Sequence, residues 1–369
     1  MKKNQKKIHR LLVIVSGMGT GGAETQLKVL LQNLPDDQFE IMLVSLVGKD
    51  VVNFSRPLKL VQPRLGKNQG VIINLLRVFR LLFLVVLYRP NVIQGWMYGG
   101  NIVAGLAKLC VPTALLYLGV RASDMDDQRY RYQFFLNKLI SKFASGVVYN
   151  SFAGLDYHIS KGFNKSRAKM IHNGICSTRF KPDENSRKYL RQKIGVTKGW
   201  PVVIYPARVD PMKNHQLVIQ IASLLPEVQF VFVGSGVENL QAPSNCVLVG
   251  KISNPESYYN MADLTVSFSK YGEGFPNIIA ESLSCGVPVL ANSVGDSAII
   301  LSEIGFVTES DQPDHIAKRI KSLISDKRKL KRVSIRGQKL VAERFNVKSM
   351  VDGYVNLYDK KNKPSKIEI

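Results

Sequence analysis

The sequence predicts an α/β chain of two doubly wound domains facing each other across a cleft, and three observations carry that prediction. Short apolar runs alternate with helix-length segments from residue 10 to about residue 175. The alternation stops over a polar stretch, Cys176–Trp200, and restarts at Val202. At 369 residues the chain is long enough for two cores. Strand and helix in alternation mean a parallel sheet covered by helices on both faces, with ligands at the carboxyl ends of its strands. The expected division is 1–180, 181–345, and 346–369 as a C-terminal helix and basic tail, a return to the first domain being one option.

Leu11–Ser16 is an apolar strand, and the glycine-rich run Gly17–Gly22 opens a helix over Ala23–Leu34. Glu40–Leu46 reads as the second strand. Val71–Tyr88 (VIINLLRVFRLLFLVVLY) is long enough to suggest a membrane span, but Arg77 and Arg80 sit inside it and are costly at a bilayer centre. The favoured reading is a buried helix of a βαβ unit, with a membrane-facing amphipathic helix as the alternative. Strands follow near Val92–Gln94, Ala114–Gly119 and Gly146–Tyr149, and Ser151 is placed to cap the next helix. In the second half Val202–Ala207, Gln229–Gly234, Val247–Val249, Leu264–Phe268, Val287–Ala291 and Gly305–Val307 read as strands. The C-terminal stretch is helical and basic, and its last residues, KKNKPSKIEI, have the composition of a disordered tail.

Composition narrows the class. The net charge of +23 points to a polyanionic partner, either phosphorylated substrates or an anionic membrane. No nucleic-acid-binding signature accompanies it, so nucleic acid is not expected. The N-terminal run MKKNQKKIHR leads into an apolar stretch too short for a signal peptide, which reads as a first strand behind a solvated tail. Cys110, Cys176, Cys246 and Cys285 are far apart, form no C-x-x-C, and read as buried thiols of a reducing compartment. His158, His172 and His215 read as packed or surface residues.

The richest stretch is Lys270–Ser297, KYGEGFPNIIAESLSCGVPVLANSVGDS. A glycine loop runs into a helix whose first turn suits Pro276; Ile279 and Leu283 face a core, and Gly286 ends the helix before a buried strand. Asn277 and Glu281 share another face, ~6 Å apart along the axis. Glu273 stands in the loop ahead of them. The open helix N-terminus, approached closely at Gly274, suits an anion, and carboxylates on either side suit hydroxyls. Together they describe a site for a nucleotide-sugar.

Glu273 and Glu281 enclose seven residues, and the E-G-F-P-N run with the following G-x-P-V-x-A makes the stretch resemble the family-4 retaining glycosyltransferases of the GT-B fold. The resemblance covers most of the chain. Gly21 and Gly22 are similar to the family's N-terminal glycine loop, where backbone amides approach the donor. Asn150–Ala153, Ile171–Ile175 and Arg179–Pro182 resemble its domain-crossing segment and carry a structural role. Pro206–His215 (PARVDPMKNH) resembles its strand-end pair of cations, which implies that Arg208 and Lys213 converge on the diphosphate. Gly250 and Lys251 resemble the loop that meets the base through backbone groups, so UDP and GDP are not distinguished. By the same resemblance Gly274, Phe275, Pro276 and Asn277 hold the phosphates with the two cations, Glu273 orients the donor sugar and Glu281 takes the ribose. Many relatives carry an acceptor-side His where this chain has VRASDMDD; Arg121, Ser123 and Asp124 are the candidates there.

Asp124 and Asp126 also form a D-x-D, the metal-binding pair of the other large glycosyltransferase architecture. The cation pair makes a metal superfluous, so neither metal nor cofactor is expected; the donor is itself the substrate. The resulting expectation is a metal-independent retaining hexosyltransferase, cytoplasmic and peripheral at the inner face of the cell membrane. Its partners would be a nucleotide-sugar, a lipid-linked saccharide acceptor and an anionic membrane surface. Arg129, Arg131, Lys138 and Lys142 suit a lipid diphosphate, and surface-polysaccharide assembly (capsule, lipopolysaccharide or exopolysaccharide) is the setting implied. The alternatives are a nucleotide-sugar epimerase on the same fold and a non-catalytic basic binder of membrane or nucleic acid.

Overall fold

The computed structural model describes residues 8–19, 21–47, 53–66, 70–125, 127–196, 199–302 and 304–359. The N-terminal basic run before Ile8, Asp126 and the tail from residue 360 lie outside them. The chain forms two compact units, Met1–Gly174 with Val347–Ile369, and Ile175–Asn346. The chain enters and leaves the second unit at one place, where the Ile175 N–H donates to the Phe345 carbonyl at 2.7 Å. Phe180, the last residue of the expected first domain, packs in the second unit's core.

Unit 1 comprises β1 (His9–Val15), α1 (Gly22–Asn33), β2 (Phe39–Ser45), β3 (Lys59–Val61), α2 (Val71–Tyr88), β4 (Val92–Trp96), α3 (Met97–Cys110), β5 (Leu115–Val120), α4 (Asp127–Ser141), β6 (Gly146–Tyr149), α5 (Phe152–Ser160) and β7 (Ala168–Met170). Its strands are ordered β3-β2-β1-β4-β5-β6-β7 and pair in parallel. β3 and β7, three residues each, were not expected; such short runs carry no alternation to read. Successive residues of β1 point to opposite faces. Leu11, Val13 and Val15 meet α1, while Leu12 and Ile14 join the cluster that contains α2, α3 and α5 residues. Ser151 does cap α5, accepting from the Gly154 N–H at 3.1 Å.

Unit 2 follows as α6 (Glu184–Lys193), β8 (Val202–Pro206), α7 (His215–Ser223), β9 (Gln229–Val233), β10 (Cys246–Gly250), α8 (Pro255–Met261), β11 (Leu264–Ser267), α9 (Asn277–Ser284), β12 (Val289–Asn292), α10 (Ser297–Leu301), β13 (Phe306–Thr308), α11 (Pro313–Ser325) and α12 (Lys327–Arg344). Its parallel sheet runs β10-β9-β8-β11-β12-β13. The strand order reverses between β8 and β11, which are neighbours, and that is where such sheets bind ligands. The final helix, α13 (Val347–Tyr358), packs on unit 1: Tyr358 donates to Gln94 Oε1 at 3.0 Å and Tyr117 to the Leu357 carbonyl at 2.7 Å.

Two expectations are corrected. Only the inward side of α2 is buried, through Leu81, Val85 and Tyr88, while Leu76, Phe79 and Phe83 are 64%, 72% and 61% exposed. Apolar residues occupy both sides of this helix, so periodicity could not tell which side the protein covers. Of the cysteines Cys285 alone is buried; Cys110 is exposed, and Cys176 and Cys246 are half-buried.

Candidate functional site

β8 (VVIYP) is apolar and ends at Pro206, which has no N–H to continue the ladder. The chain then turns through Ala207–Asn214. Asp210 caps a short 3-10 turn, its Oδ1 accepting from the Met212 N–H at 3.1 Å, and Asn214 enters α7 in the left-handed region at φ 55°. Buried Tyr205 donates its hydroxyl to the Lys213 carbonyl, fixing where that turn ends. Burial, and secondarily Glu273, pushes the Tyr205 phenol well above its ordinary range, so it stays protonated as a donor.

Lys213 is thereby delivered to the end of β11. Its Nζ donates to Glu273 Oε1, and Ser269 Oγ donates to the same oxygen at 2.6 Å. Both charged side chains are largely withdrawn from water, at 12% and 14% exposure. Arg208 stands on the same turn, 53% exposed, with its guanidinium 3.0 Å from Asp210 Oδ2. This end of the sheet thus holds a cation and a carboxylate that satisfy each other, and a second cation open to solvent.

Neighbouring loops are held by backbone contacts that only glycine permits. Gly295 has φ 61°, and a Cβ there would lie 2.6 Å from the Gly274 carbonyl oxygen and 2.7 Å from that of Glu273. The adjacent Asp296 N–H donates to the Gly274 carbonyl at 3.0 Å, and Asn292 Nδ2 to the Ser269 carbonyl at 2.7 Å. At Gly234 a Cβ would lie 2.4 Å from the Ala207 carbonyl oxygen, so the end of β9 presses on the turn that carries Arg208. The Lys270 N–H, donating to Met212 at 2.7 Å, ties the two functional loops together. Gly250 joins this set by accepting from the Gly234 N–H at 2.9 Å, whereas the Lys251 side chain is exposed.

α9 begins at Asn277 with Pro276 as its cap residue, so its N-terminus opens three residues beyond Glu273. Phe275 is buried edge-on against Phe345, with ring centroids 5.0 Å apart, which anchors the loop between Glu273 and the helix. Glu281, one turn into α9, accepts from the Tyr259 hydroxyl at 2.9 Å. Burial raises the Glu281 carboxyl, with Tyr259 and Arg179 opposing that rise. Sequence reasoning singled out Glu281 but missed Tyr259, Ser269, Tyr205 and Asn292. Tyr205 and Ser269 act within their own turns and Tyr259 reaches from α8 to α9, while Asn292, inside the Lys270–Ser297 stretch, reaches across from β12 to the loop after β11.

The remaining candidates belong to unit 1. Gly21 and Gly22 lie at the N-terminus of α1, and Trp96 at the end of β4 donates its indole N–H to the Ala23 carbonyl at 2.9 Å. Arg121 lies 3.8 Å over the same Trp96 ring and donates to the Tyr354 hydroxyl of α13. Arg121 therefore serves in an aromatic brace. Ser123 is buried and Asp124 exposed. Among the described residues no three His, Cys, Asp or Glu side chains gather as a metal site. His158 and His215 are packed, as read from sequence. A separate open depression of about 780 Å³ lies at the amino ends of β8, β11 and β12, away from these loops. Its Arg187 and Arg191 are already bonded to Asp263, at 2.6 and 2.5 Å.

Comparison with known proteins fits this arrangement. Residues 20–179 match the family described as Glycosyltransferase Family 4, and residues 186–340 match Glycosyl transferases group 1. EpsD of Bacillus subtilis (strain 168), named as a glycosyltransferase, is 27% identical over 55% of this chain and 58% of its own length. D-inositol 3-phosphate glycosyltransferase of Mycolicibacterium gilvum is 27% identical over 40% of this chain and 37% of its own. The chain thus spans about half the length of the curated relatives it matches. Among solved structures, Anabaena HepE in complex with UDP-glucose superposes with a TM-score of 0.80 at 19% identity, covering 95% of this chain and 99% of that one. WaaG, a glycosyltransferase involved in lipopolysaccharide biosynthesis, gives a TM-score of 0.74 at 12% identity, covering 95% and 100%.

Proposed function

Because this chain is a family-4 glycosyltransferase of the GT-B fold, we propose that it moves a hexosyl group from a UDP- or GDP-linked donor to a lipid-linked or saccharide acceptor. In this reading the reaction retains the anomeric configuration, needs no metal, and takes place peripherally at the inner face of the cell membrane during surface-polysaccharide assembly. The observation that carries it is the Lys213–Glu273 pair at the β8/β11 reversal, beside the open N-terminus of α9. The HepE structures in complex with UDP and UDP-glucose support a nucleotide-sugar as the ligand in this reading.

The chemistry follows from what each group can do without changing protonation. When a donor arrives, Lys213 exchanges Glu273 for a phosphate oxygen, and Arg208 adds a planar fork to the same diphosphate. Glu273, relieved of its cation but still held by Ser269, accepts from sugar hydroxyls and fixes the ring. The bond from anomeric carbon to phosphate oxygen breaks through an oxocarbenium-like state, and charge growing on the diphosphate meets two cations and a helix N-terminus. The acceptor oxygen bonds to the anomeric carbon, and its proton leaves on the diphosphate. No side-chain nucleophile is assigned.

The test is slow donor hydrolysis and thermal shift with a panel of UDP- and GDP-sugars, with and without EDTA, on wild type, Arg208→Ala and Glu273→Ala. One stabilising donor, cleaved despite EDTA and lost in both variants, supports the reading and names the donor. Interconversion of donor sugars without an acceptor would instead identify an epimerase, and silence across the panel in a folded protein would remove the donor-site assignment.

A further inference from the structure

We propose that the outer face of α2, α3 and α4 seats unit 1 in a bilayer containing anionic phospholipid, with α2 lying in the membrane plane. This rests on the peripheral-membrane part of the preceding reading and supplies its surface and mode. α2 carries two stripes at the same helical spacing. Asn74, Val78, Leu81, Val85 and Tyr88 turn inward, and Ile72, Leu76, Phe79, Phe83 and Val86 turn outward and are exposed. A helix apolar on both sides is one whose second side has another apolar neighbour. α3 packs beside α2, and α4 beside α3, on the same face of the sheet. They extend the exposed apolar surface through Leu106 and Leu109, then Tyr132, Phe135, Leu139 and Phe143. Exposed apolar side chains on three helices that pack side by side mark an interaction surface.

Charge selects the occupant. Neither α2 nor α3 contains an Asp or Glu, while Arg80, Arg131 and Lys142 are exposed among the apolar side chains. A second copy of a chain with net charge +23 would bring like charges together, whereas phospholipid phosphates complement them and the acyl chains receive Phe79 and Phe83. Topology selects the mode. β3 and β4, which flank α2, belong to one sheet, so α2 cannot cross the membrane without separating them. Leu81 and Val85 remain in the core, and the Tyr88 hydroxyl donates to the Glu40 carbonyl at 2.7 Å.

The experiment is co-sedimentation of the full chain with vesicles of phosphatidylcholine alone or mixed equally with phosphatidylglycerol. Wild type is expected to partition to the mixed vesicles. Phe79→Ser/Phe83→Ser, in two solvent-facing side chains, should lose about tenfold per phenyl ring at an unchanged thermal midpoint. Arg80→Glu/Arg131→Glu/Lys142→Glu should lose the preference for phosphatidylglycerol by about fivefold per residue. Unchanged partitioning of the Ser variant would overturn the surface while leaving peripheral association intact; no wild-type partitioning would overturn both. A lipid-free dimer that the Ser variant converts to monomer would assign the face to a second copy. Donor hydrolysis should be unchanged in Phe79→Ser/Phe83→Ser, which separates this test from that of the donor site.

Discussion

The two units end their sheets in glycine turns of opposite kinds. In unit 2, Gly234 and Gly295 stand where any side chain would strike another loop's backbone, so glycine there is a packing requirement that sets the positions of Arg208 and Glu273. In unit 1, a Cβ at Gly19 would meet nothing within 4 Å, and one at Gly21 would meet first the end of the Glu24 side chain. That loop is held from outside, by Trp96 bonding Ala23 and by Arg121 stacked on Trp96. A glycine-rich turn can therefore mean either a rigid cradle or an open loop, and only the neighbouring backbone distinguishes them. In unit 2 the cradle immobilises charges; in unit 1 the brace leaves the glycines uncrowded.

The largest expected effect breaks the charged pair that the unit 2 cradle holds. Lys213→Ala and Glu273→Gln should each lower glycosyl transfer by roughly 10²–10³-fold, the range for removing a preorganised electrostatic partner of a transition state. The two side chains bond each other in the resting site, but in the proposed reaction the bound donor separates them, so at saturating donor the losses of the singles should multiply in the double variant. Single-turnover rates on the four proteins measure this, and a double variant no slower than the singles would show that the pair acts as one unit in the transition state.

A second contrast concerns acid. In unit 1, His158 is fully buried, donating from Nδ1 to the Gly154 carbonyl at 2.7 Å and accepting at Nε2 from the Tyr98 hydroxyl at 2.6 Å. Burial lowers its pKa from 6.5 to about 4, against a smaller upward pull from Gly154. The folded state thus binds the proton later than the unfolded chain as pH falls. The stability that neutral His158 confers is complete above about pH 6.5 and is lost on descending to about 4, roughly 3 kcal/mol in all. Urea unfolding across that window should show the decline, and His158→Gln should flatten it. His215 in unit 2 is also shifted down by burial, so some slope should survive the substitution.

How much of this was legible follows the same division. The Lys270–Ser297 stretch could be read because its helix, glycines and carboxylates are local, and the structure keeps that order. The bond from Lys213 to Glu273 spans 60 residues and depends on β8 lying beside β11, an adjacency no local pattern encodes. Arg121 was read as an acceptor-side group, but its partner Tyr354 lies 233 residues away on a helix that packs on unit 1. α2 was misread for a different reason. Its apolar residues satisfy a buried helix and a membrane-facing one equally, and the decision lies in how far α3 extends over it.

Glycine substitutions sharpen the opening comparison, and their effects should differ by unit. Gly295→Ala forces both a left-handed φ of 61° and a backbone overlap, so it should cost about 2 kcal/mol and raise KM for the donor by displacing Glu273. Gly21→Ala should change stability by less than about 0.5 kcal/mol, because the Glu24 carboxylate can swing aside. Gly19→Ala is the smallest change of all and should stabilise slightly if anything, since it meets open space and restricts the unfolded chain. Urea midpoints of the three variants measured beside wild type decide the matter. A large loss at Gly19 or Gly21 would mean that the unit 1 loop is as tightly cradled as that of unit 2, and that its openness is not what distinguishes the two ends.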